Sequence, residues 1–577
     1  MSSIPSDAER RRRLVTRTVP LAVVALVAFV IGAATGSPGS PEREAVQRFV
    51  DAWEEKDFGR MYAELNEDSR ARVDRAEFET AYREAQEVAT TRTLAAGSAG
   101  DPDSGGSEAI VPVDLTVTTV AFGAVEAKIE LPYAEDGIEW DTSLVFPGLE
   151  EGEELAADLE LTKRAPILAR DGTPLAEGPA EAREHPIGSA AIDVTGEVGE
   201  ASEEDLERLA RQGFPPGAPV GVSGLERTFN QRLAGKPGGS LIAVAEDGSS
   251  VRTLAQSKPQ PGTRVKTTID PDLQEAAVAA LGGRAGGVAV LDTRSGDVRA
   301  LAGQAFSAPQ PPGSTFKVVT TVAALEAGVV EMDDEFEISE GVNVGGRFIY
   351  NANGEFCGGS FREAFAHSCN AVFAPLGPEV GNDRLVETAE KFGFNEPPSL
   401  YAPRIVAEVG PEESTIPAEI GEDIDLGVSA IGQGEVLATP LAMASVSQAV
   451  ANDGVRLPTS LVANRKLRPD PEPARVMSEQ TAEKLTELMV GVVAGGTGYA
   501  GAIPEAQVAG KTGTAELGPK PGEEDKENPV QIKDAWFTAF APAERPRLAV
   551  GVMLIEAEAS GGEVAAPIAS AVLSAGL

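Results

Sequence analysis

The segment with the clearest structural signal in this chain is Pro311-Pro312-Gly313-Ser314-Thr315-Phe316-Lys317. Two prolines and a glycine stop the preceding structure, and the residues from Ser314 to Ala327 have the pattern of a helix that ends at Gly328. Positions i and i+3 share one face of a helix, so the sequence predicts that Lys317 lies against the Ser314 hydroxyl. A neutral lysine is a base for serine, and a helix N-terminus favours a developing oxyanion.

Alternating apolar residues on both sides of this helix predict strands. They lie at Val288–Leu291 and Val298–Leu301, which form a hairpin, and at Val508–Leu517, Ala535–Phe540 and Leu548–Ile555. Helices between β segments predict an α/β sandwich with an antiparallel sheet.

Two further motifs follow in order, Ser368-Cys369-Asn370 and Lys511-Thr512-Gly513-Thr514. Ser368 supplies a hydroxyl that relays protons, and Asn370 supplies an amide that holds a substrate carbonyl or the lysine. Lys511 supplies a cation that lowers the pKa of Lys317.

The motif Lys511-Thr512-Gly513-Thr514 lies on a predicted strand. Lys511 and the threonine hydroxyls suit a carboxylate, and Gly513 leaves room for an extended peptide to approach the strand. A backbone N–H of this strand, at Thr514, forms an oxyanion hole together with that of Ser314.

The composition argues against several classes of protein function. The 90 acidic and 49 basic residues give a net charge of −41, which disfavours nucleic acid as a partner. Only two histidines occur, His185 and His367, which argues against a zinc hydrolase, so we expect neither metal nor cofactor. At 577 residues the chain should contain about three or four folded units.

The N-terminus carries an export signal. A basic tail, residues 1–18, precedes an apolar run from Val19 to Ala34, and we predict a signal-anchor at residues 19–35. A cleaved signal peptide is the alternative. The positive-inside rule then places the tail in the cytoplasm and the bulk of the chain outside a cell membrane that it crosses once.

The two cysteines, Cys357 and Cys369, both lie in the exported part. An oxidising compartment permits a disulfide between them, and two buried free thiols are the alternative.

Three domains are predicted after the anchor. Residues 42–155 form a small α+β domain with helices over 42–66 and 75–88 and strands at 110–120, 125–131 and 140–145. Residues 160–280 form an extended mixed region, and residues 281–577 form the domain that carries the three motifs.

Together the motifs resemble those of a class B, monofunctional penicillin-binding protein. Gly432-Gln433-Gly434-Glu435 and Gly496-Thr497-Gly498 strengthen the likeness, which runs from about residue 160 to the end. Residues 160–280 resemble the pedestal, or dimerisation, domain of that family. Residues 42–155 resemble the cone-shaped N-terminal domain of the methicillin-resistance penicillin-binding protein.

The resemblance implies a peptidoglycan D,D-transpeptidase that cross-links stem peptides through a Ser314 acyl-enzyme and is acylated by β-lactams. Its implied catalytic residues are Ser314, Lys317, Ser368, Asn370 and Lys511, with Thr512, Gly513 and Thr514 binding substrate. Glycan polymerisation would come from a separate glycosyltransferase partner.

Two alternatives keep the same motifs. A D,D-carboxypeptidase or β-lactamase would hydrolyse the acyl-enzyme, and a β-lactam sensor or divisome scaffold would be acylated without turnover.

Overall fold

The computed structural model describes residues 40–104, 109–210, 212–215, 217–403, 405, 410–470, 472–521 and 531–577. They form two compact units. The first comprises the described residues up to Leu161 with those of Glu203–Pro216 and Lys236–Gln260, and the second comprises those of Thr162–Ser202, Gly217–Gly235 and Pro261–Leu577.

The α-helices are numbered in chain order: α1 Pro41–Glu54, α2 Phe58–Ala63, α3 Glu67–Arg72, α4 Arg75–Val88, α5 Ser189–Thr195, α6 Glu203–Ala210, α7 Gly224–Thr228, α8 Asn230–Ala234, α9 Pro271–Leu281, α10 Lys317–Ala327, α11 Phe361–Ala366, α12 Asn370–Val380, α13 Asn382–Lys391, α14 Asp423–Ala430, α15 Pro440–Ala451, α16 Glu479–Gly495, α17 Gly561–Val564 and α18 Ala566–Gly576. Short 3₁₀ turns occur at Thr142–Val145, Ala180–Ala182, Gly313–Phe316, Ala352–Gly354 and Tyr499–Gly501.

The strands are β1 Thr91–Ala96, β2 Asp103–Ser104, β3 Ala109–Thr119, β4 Ala124–Ala134, β5 Gly137–Ile138, β6 Glu153–Glu160, β7 Ile167–Leu168, β8 Pro174–Ala176, β9 Val198–Gly199, β10 Val220–Gly221, β11 Gly238–Ala245, β12 Ser250–Ser257, β13 Val265–Lys266, β14 Gly286–Asp292, β15 Val298–Gly303, β16 Glu335–Ser339, β17 Gly341–Val344, β18 Arg347–Tyr350, β19 Cys357–Ser360, β20 Val455–Arg456, β21 Ala474–Arg475, β22 Ala509–Pro519, β23 Gln531–Ala541 and β24 Leu548–Leu554.

The first unit packs helices on sheets. One sheet has the order β1-β3-β4-β5, with β2 paired to β3, and a second has the order β12-β11-β6. Phe49 and Trp53 of α1 and Phe78 and Tyr82 of α4 recur at helical spacing and are buried in one core. Each such ring contributes about 1.5–3 kcal/mol by leaving water.

The second unit is a sandwich around a five-stranded antiparallel sheet, β15-β14-β24-β23-β22. Val288, Val290 and Val550 lie in one core, which also contains residues of α9 and α18. Trp536 and Met553 lie in a second core, which contains residues of α10 to α16. The predicted antiparallel α/β sandwich is therefore confirmed. Strand β22, which carries Lys511, is at the edge of the sheet.

Most predicted elements occur close to their expected bounds, but one strand prediction was wrong. Residues 142–145 form a 3₁₀ turn, because the Asp141 carboxylate accepts a 2.7 Å hydrogen bond from the Ser143 N–H and caps the turn. The predicted helix from Ser314 begins with the 3₁₀ turn Gly313–Phe316 and becomes α-helical at Lys317.

The predicted range 160–280 is divided between the two units, and the domain boundaries proposed from sequence stay a prediction. The predicted tail and signal-anchor, residues 1–18 and 19–35, lie outside the described residues. Within the described part of the chain, none of the helices combines the length and apolar character that a membrane crossing requires.

Candidate active site

Ser314 lies in the 3₁₀ turn that leads into α10, and it is half-buried. The turn is stabilised by the Thr315 hydroxyl, which donates a 2.8 Å hydrogen bond to the Pro312 carbonyl, and by the buried Phe316 ring, which packs edge-on against Phe394. These contacts hold the turn that carries Ser314 against the buried core.

Glycines allow this turn to approach the edge strand. Gly313 has a φ of +52° and donates a 2.8 Å hydrogen bond to the Gly432 carbonyl, and a Cβ on it would lie 2.7 Å from the Thr514 carbonyl oxygen. A Cβ on Gly513 would lie 2.5 Å from the Pro312 carbonyl oxygen. The absent side chain of Gly513 therefore makes room for the turn that carries Ser314, whereas the sequence pattern predicted room for a peptide.

Lys317 is fully buried at the start of α10. Its Nζ donates hydrogen bonds to the Ser368 carbonyl at 2.7 Å and to Asn370 Oδ1 at 2.7 Å, and it lies 3.3 Å from Ser368 Oγ. The Ser314 hydroxyl is not among these partners, although Ser314 and Lys317 are three residues apart. Nζ also lies 5.3 Å from the centre of the Phe373 ring.

Burial, and then the charge of Lys511, hold the pKa of Lys317 well below its usual value. Removal from water disfavours the ammonium form, and a second cation disfavours it further. The site is therefore arranged to keep a lysine in its neutral, basic form.

Lys511 on β22 is also fully buried. Its Nζ donates to Ser368 Oγ at 2.9 Å and to the Thr512 carbonyl at 3.0 Å, and it lies 5.6 Å from the centre of the Phe365 ring. Burial lowers its pKa to about 7.

The Ser368 hydroxyl thus lies between the two lysines. Ser368 has a φ of +61°, a left-handed conformation that is uncommon for a residue with a Cβ and that is frequent at functional sites. Because a hydroxyl both donates and accepts, Ser368 Oγ can pass a proton between the two amines.

Asn370 is the first residue of α12. Its Oδ1 accepts from Lys317, and its Nδ2 donates a 2.9 Å hydrogen bond to the Tyr350 carbonyl. The amide therefore holds the lysine, which is one of the two roles that the sequence predicted for it.

Cys357 and Cys369 form a disulfide with a Cα–Cα distance of 5.5 Å. It joins β19 to the residue between Ser368 and Asn370, and Cys369 is fully buried.

The two threonines of the third motif differ in surroundings. Thr512 is buried, and its hydroxyl is paired at 2.6 Å with the hydroxyl of Thr497. Thr514 is half-buried, and its hydroxyl accepts from the Gly561 N–H at 3.3 Å. Of the two, Thr514 is the more accessible to a ligand.

Sequence reasoning missed several contributors. The Phe365 and Phe373 rings face the two lysines, Thr497 pairs with Thr512, and Asn351 holds the backbone beside Asn370. Asn351 carries no sequence signal, because it stands in a polar run, Asn351-Ala352-Asn353-Gly354, that predicts only a turn. Within the described ranges, no group of three or more His, Cys, Asp or Glu side chains could hold a metal ion.

Three family models match successive parts of the chain. The NTF2-like N-terminal transpeptidase domain matches residues 41–153, the penicillin-binding protein dimerisation domain matches residues 173–267, and the penicillin binding protein transpeptidase domain matches residues 286–574. The last contains every predicted site residue and covers half of the chain.

Curated relatives of this chain are likewise named transpeptidases. Peptidoglycan D,D-transpeptidase PbpA of Mycobacterium tuberculosis is 36% identical over 360 residues, which is 59% of this chain and 67% of the relative. Peptidoglycan D,D-transpeptidase PbpA of Mycolicibacterium smegmatis is 38% identical over 298 residues, 48% of this chain and 57% of the relative.

Solved structures of transpeptidases and penicillin-binding proteins also align with this chain. The D,D-transpeptidase domain of a peptidoglycan glycosyltransferase from Eggerthella lenta aligns with a TM-score of 0.57 at 30% identity, covering 72% of this chain and 98% of that one. The penicillin G acyl-enzyme complex of penicillin-binding protein A from M. tuberculosis aligns with a TM-score of 0.55 at 28% identity, covering 72% and 99%. With its three motifs gathered at one buried site, this chain belongs to the penicillin-binding protein transpeptidase family.

Proposed function

We propose that this chain is a peptidoglycan D,D-transpeptidase that cross-links stem peptides and is acylated by β-lactams. One observation carries the proposal: two buried lysines with lowered pKa values converge on the Ser368 hydroxyl, and one of them, Lys317, directly follows the turn that bears Ser314. Such an arrangement serves a serine nucleophile that needs a lysine base.

In the acylation step, neutral Lys317 accepts the Ser314 hydroxyl proton as Oγ attacks the carbonyl carbon of the D-Ala-D-Ala bond. The oxyanion is stabilised by the backbone N–H groups of Ser314 and Thr514, at about 3 kcal/mol for each donor. The C–N bond breaks, and the departing D-Ala amine takes a proton delivered through Ser368. A β-lactam reacts in the same way, but its amine stays attached to the acyl group.

In the second step, an amine of a neighbouring stem peptide attacks the acyl-enzyme. Its proton passes to the lysine, the ester bond to Ser314 Oγ breaks, and Oγ recovers its proton. Lys511 and the Thr514 hydroxyl hold the substrate carboxylate, and the paired Thr512 and Thr497 hydroxyls support the strand beneath it.

The test is labelling with a fluorescent penicillin, followed by release of D-Ala from a stem peptide with and without an acceptor amine. Ser314→Ala should abolish labelling, whereas Ser307→Ala, seven residues upstream, should not. Product that contains the acceptor supports transpeptidation. Hydrolysis at the same rate with and without acceptor would assign a carboxypeptidase or β-lactamase, and a stable adduct without turnover of the peptide would assign a sensor.

The same proposal includes a single-pass membrane anchor at residues 19–35 with the bulk of the chain outside the cell membrane. The support is the run from Val19 to Ala34 behind the arginines at 10–13 and 17. Alkaline extraction of membranes should leave the full chain in the pellet, and protease added to spheroplasts should digest it. Release of a chain that lacks its first 35 or so residues would indicate cleavage instead.

We also propose that a separate glycosyltransferase supplies the glycan strands. The modules that match residues 41–153, 173–267 and 286–574 are an NTF2-like domain, a dimerisation domain and a transpeptidase domain. Purified full chain should form no glycan from a lipid-linked precursor, and it should cross-link glycan once a glycosyltransferase is added. Polymer formed by the chain alone would contradict the proposal.

A further inference from the structure

The orientation of the Asn370 amide is set by a carbonyl outside the three motifs. Nδ2 of Asn370 donates to the Tyr350 carbonyl at 2.9 Å, and Oδ1 accepts from Lys317 at 2.7 Å. A carbonyl oxygen only accepts hydrogen bonds, so the NH₂ group must face Tyr350 and the oxygen must face the lysine. A flipped amide would place its oxygen against the Tyr350 carbonyl, with two acceptors together and no hydrogen between them.

Asn351, the residue after Tyr350, anchors the backbone next to that carbonyl. Its side chain is only 5% exposed. Nδ2 donates to the carbonyls of Ser339 at 2.8 Å and Glu355 at 2.9 Å, and Oδ1 accepts from the Ala371 N–H at 2.8 Å. One buried amide thus uses both of its donors and joins three separate backbone segments.

All three contacts bear on the geometry at Asn370. The hydrogen bond from the Ala371 N–H fixes the residue that follows Asn370. The hydrogen bonds to the Ser339 and Glu355 carbonyls fix the backbone next to the Tyr350 carbonyl. We propose that Asn351 is a positioning residue for acylation: it holds the Tyr350 carbonyl against Asn370 and so directs Asn370 Oδ1 to Lys317. This inference rests on the proposed function.

The chemical consequence concerns the lone pair of Lys317. A neutral amine has two N–H groups and one lone pair. The Ser368 carbonyl and Asn370 Oδ1, each 2.7 Å from Nζ, take the two N–H groups, so the lone pair remains to accept a hydroxyl proton, and Ser368 Oγ lies 3.3 Å from Nζ. If the Asn370 amide turns, its NH₂ group donates to that lone pair and competes with the serine hydroxyl.

The experiment measures acylation of the full chain by a fluorescent penicillin as a function of penicillin concentration. For Asn351→Ala we expect the maximal acylation rate to fall by about tenfold, while the half-saturating concentration stays within about twofold. Asn343→Ala is the matched control, because Asn343 is an exposed asparagine that lies, like Asn351, between α10 and α11, and its Oδ1 accepts from Gly346 within its own turn. It should acylate at the wild-type rate.

A double-mutant cycle separates positioning from general loss of structure. In an Asn370→Ala background, Asn351→Ala should change the maximal rate by less than about twofold, because the amide that it positions is gone. An equal tenfold loss in both backgrounds, or a loss confined to the half-saturating concentration, would overturn the proposal.

If Asn351→Ala does not fold, the same cycle is run with Asn351→Asp. This variant keeps the side-chain volume and the acceptor for Ala371 but has no N–H for Ser339 and Glu355. Wild-type chain that is not labelled at all would instead contradict the proposed function, whereas the inference about Asn351 is judged by the ratio of rates among labelled variants.

Discussion

Lys317 and Lys511 are both fully buried, yet their surroundings assign them different tasks. Lys317 donates to a carbonyl and an amide oxygen and lies near a second cation, which favours a neutral base. Lys511 lies on the edge strand and donates to the Ser368 hydroxyl, where it can offer positive charge to a substrate carboxylate.

Substitution by arginine separates these tasks, because arginine keeps its charge and cannot act as a base. We expect Lys317→Arg to lose acylation by at least about 100-fold, the usual contribution of a general base. Lys511→Arg should lose less, since a carboxylate still finds a cation. Stopped-flow acylation with fluorescent penicillin is the measurement, and equal losses in the two variants would show that the roles are assigned wrongly.

The lowered pKa of Lys511 also predicts how stability depends on pH. Its pKa is about 7 in the folded chain against an ordinary 10.5, so the unfolded chain binds more protons between those values. The contribution of Lys511 to stability is therefore complete above about pH 10.5, is lost as the pH falls toward 7, and is constant below that.

Urea unfolding at pH 7 and pH 9.5 measures this effect. The wild-type chain should gain stability relative to Lys511→Met as the pH rises between the two values. A difference between the two proteins that does not change with pH would mean that Lys511 keeps its proton in the folded state.

At the scale of elements, the site depends on how closely the turn Gly313–Phe316 approaches β22. In Gly513→Ala, the new Cβ would lie 2.5 Å from the Pro312 carbonyl oxygen and 3.0 Å from both Thr315 Cγ2 and Trp536 Cβ. We expect a loss of about 1–3 kcal/mol in the free energy of unfolding, typical of overpacking, and slower acylation as the turn moves away.

Gly491→Ala is the matched control for this change. Gly491 lies within α16, and a Cβ there would meet no atom within 4 Å. It should stabilise the helix by about 0.5–1 kcal/mol and leave acylation unchanged. Thermal melting and penicillin labelling of both variants make the comparison, and tolerance of alanine at both positions would contradict the close packing described here.

The disulfide is a second feature at this scale, because it joins β19 to the segment on which Ser368 adopts its left-handed conformation. Closing a loop of this length stabilises the fold by roughly 3 kcal/mol in the chain-entropy model. Reduction should slow acylation more than it lowers the melting temperature, since the bond ends between Ser368 and Asn370.

Thiol titration of the denatured, unreduced chain should find no free thiol. Two thiols per chain would contradict the disulfide. Acylation and melting that are lost in parallel on reduction would contradict its link to the motif.

At the scale of the whole molecule, all predicted catalytic and substrate-binding residues lie in the second compact unit. A chain that begins at Thr162 should therefore still label with penicillin. It would lose β6, which pairs with β11 along its whole length, and would uncover the buried Leu241, so we expect lower solubility than for the full chain. A truncated chain that folds by circular dichroism but does not label would mean that the site depends on the first unit.

Local sequence patterns predict many of the helices and strands of this structure. The helix Arg75–Val88 has the bounds that the sequence predicts, and in the structure Asp74 and Glu77 form a capping box at its start. The strand predicted at 140–145 does not form, because a hydrogen bond from the Ser143 N–H to the Asp141 carboxylate outweighs the alternation of apolar residues. Short-range signals of this kind compete within a few residues, and the sequence pattern alone does not show which one prevails.

The sequence by itself determined the three motifs, the lysine-assisted serine chemistry that they support and the antiparallel sandwich that carries them, because these follow from residue types and periodicity. Only the tertiary structure decided that Ser368 Oγ lies between two buried amines, that Gly513 makes room for the turn that carries Ser314, and that Asn351 bonds the backbone of the residue after Asn370. The physical reason is that burial, lowered pKa values and amide orientation depend on contacts between segments far apart in the chain, and no local pattern encodes those contacts.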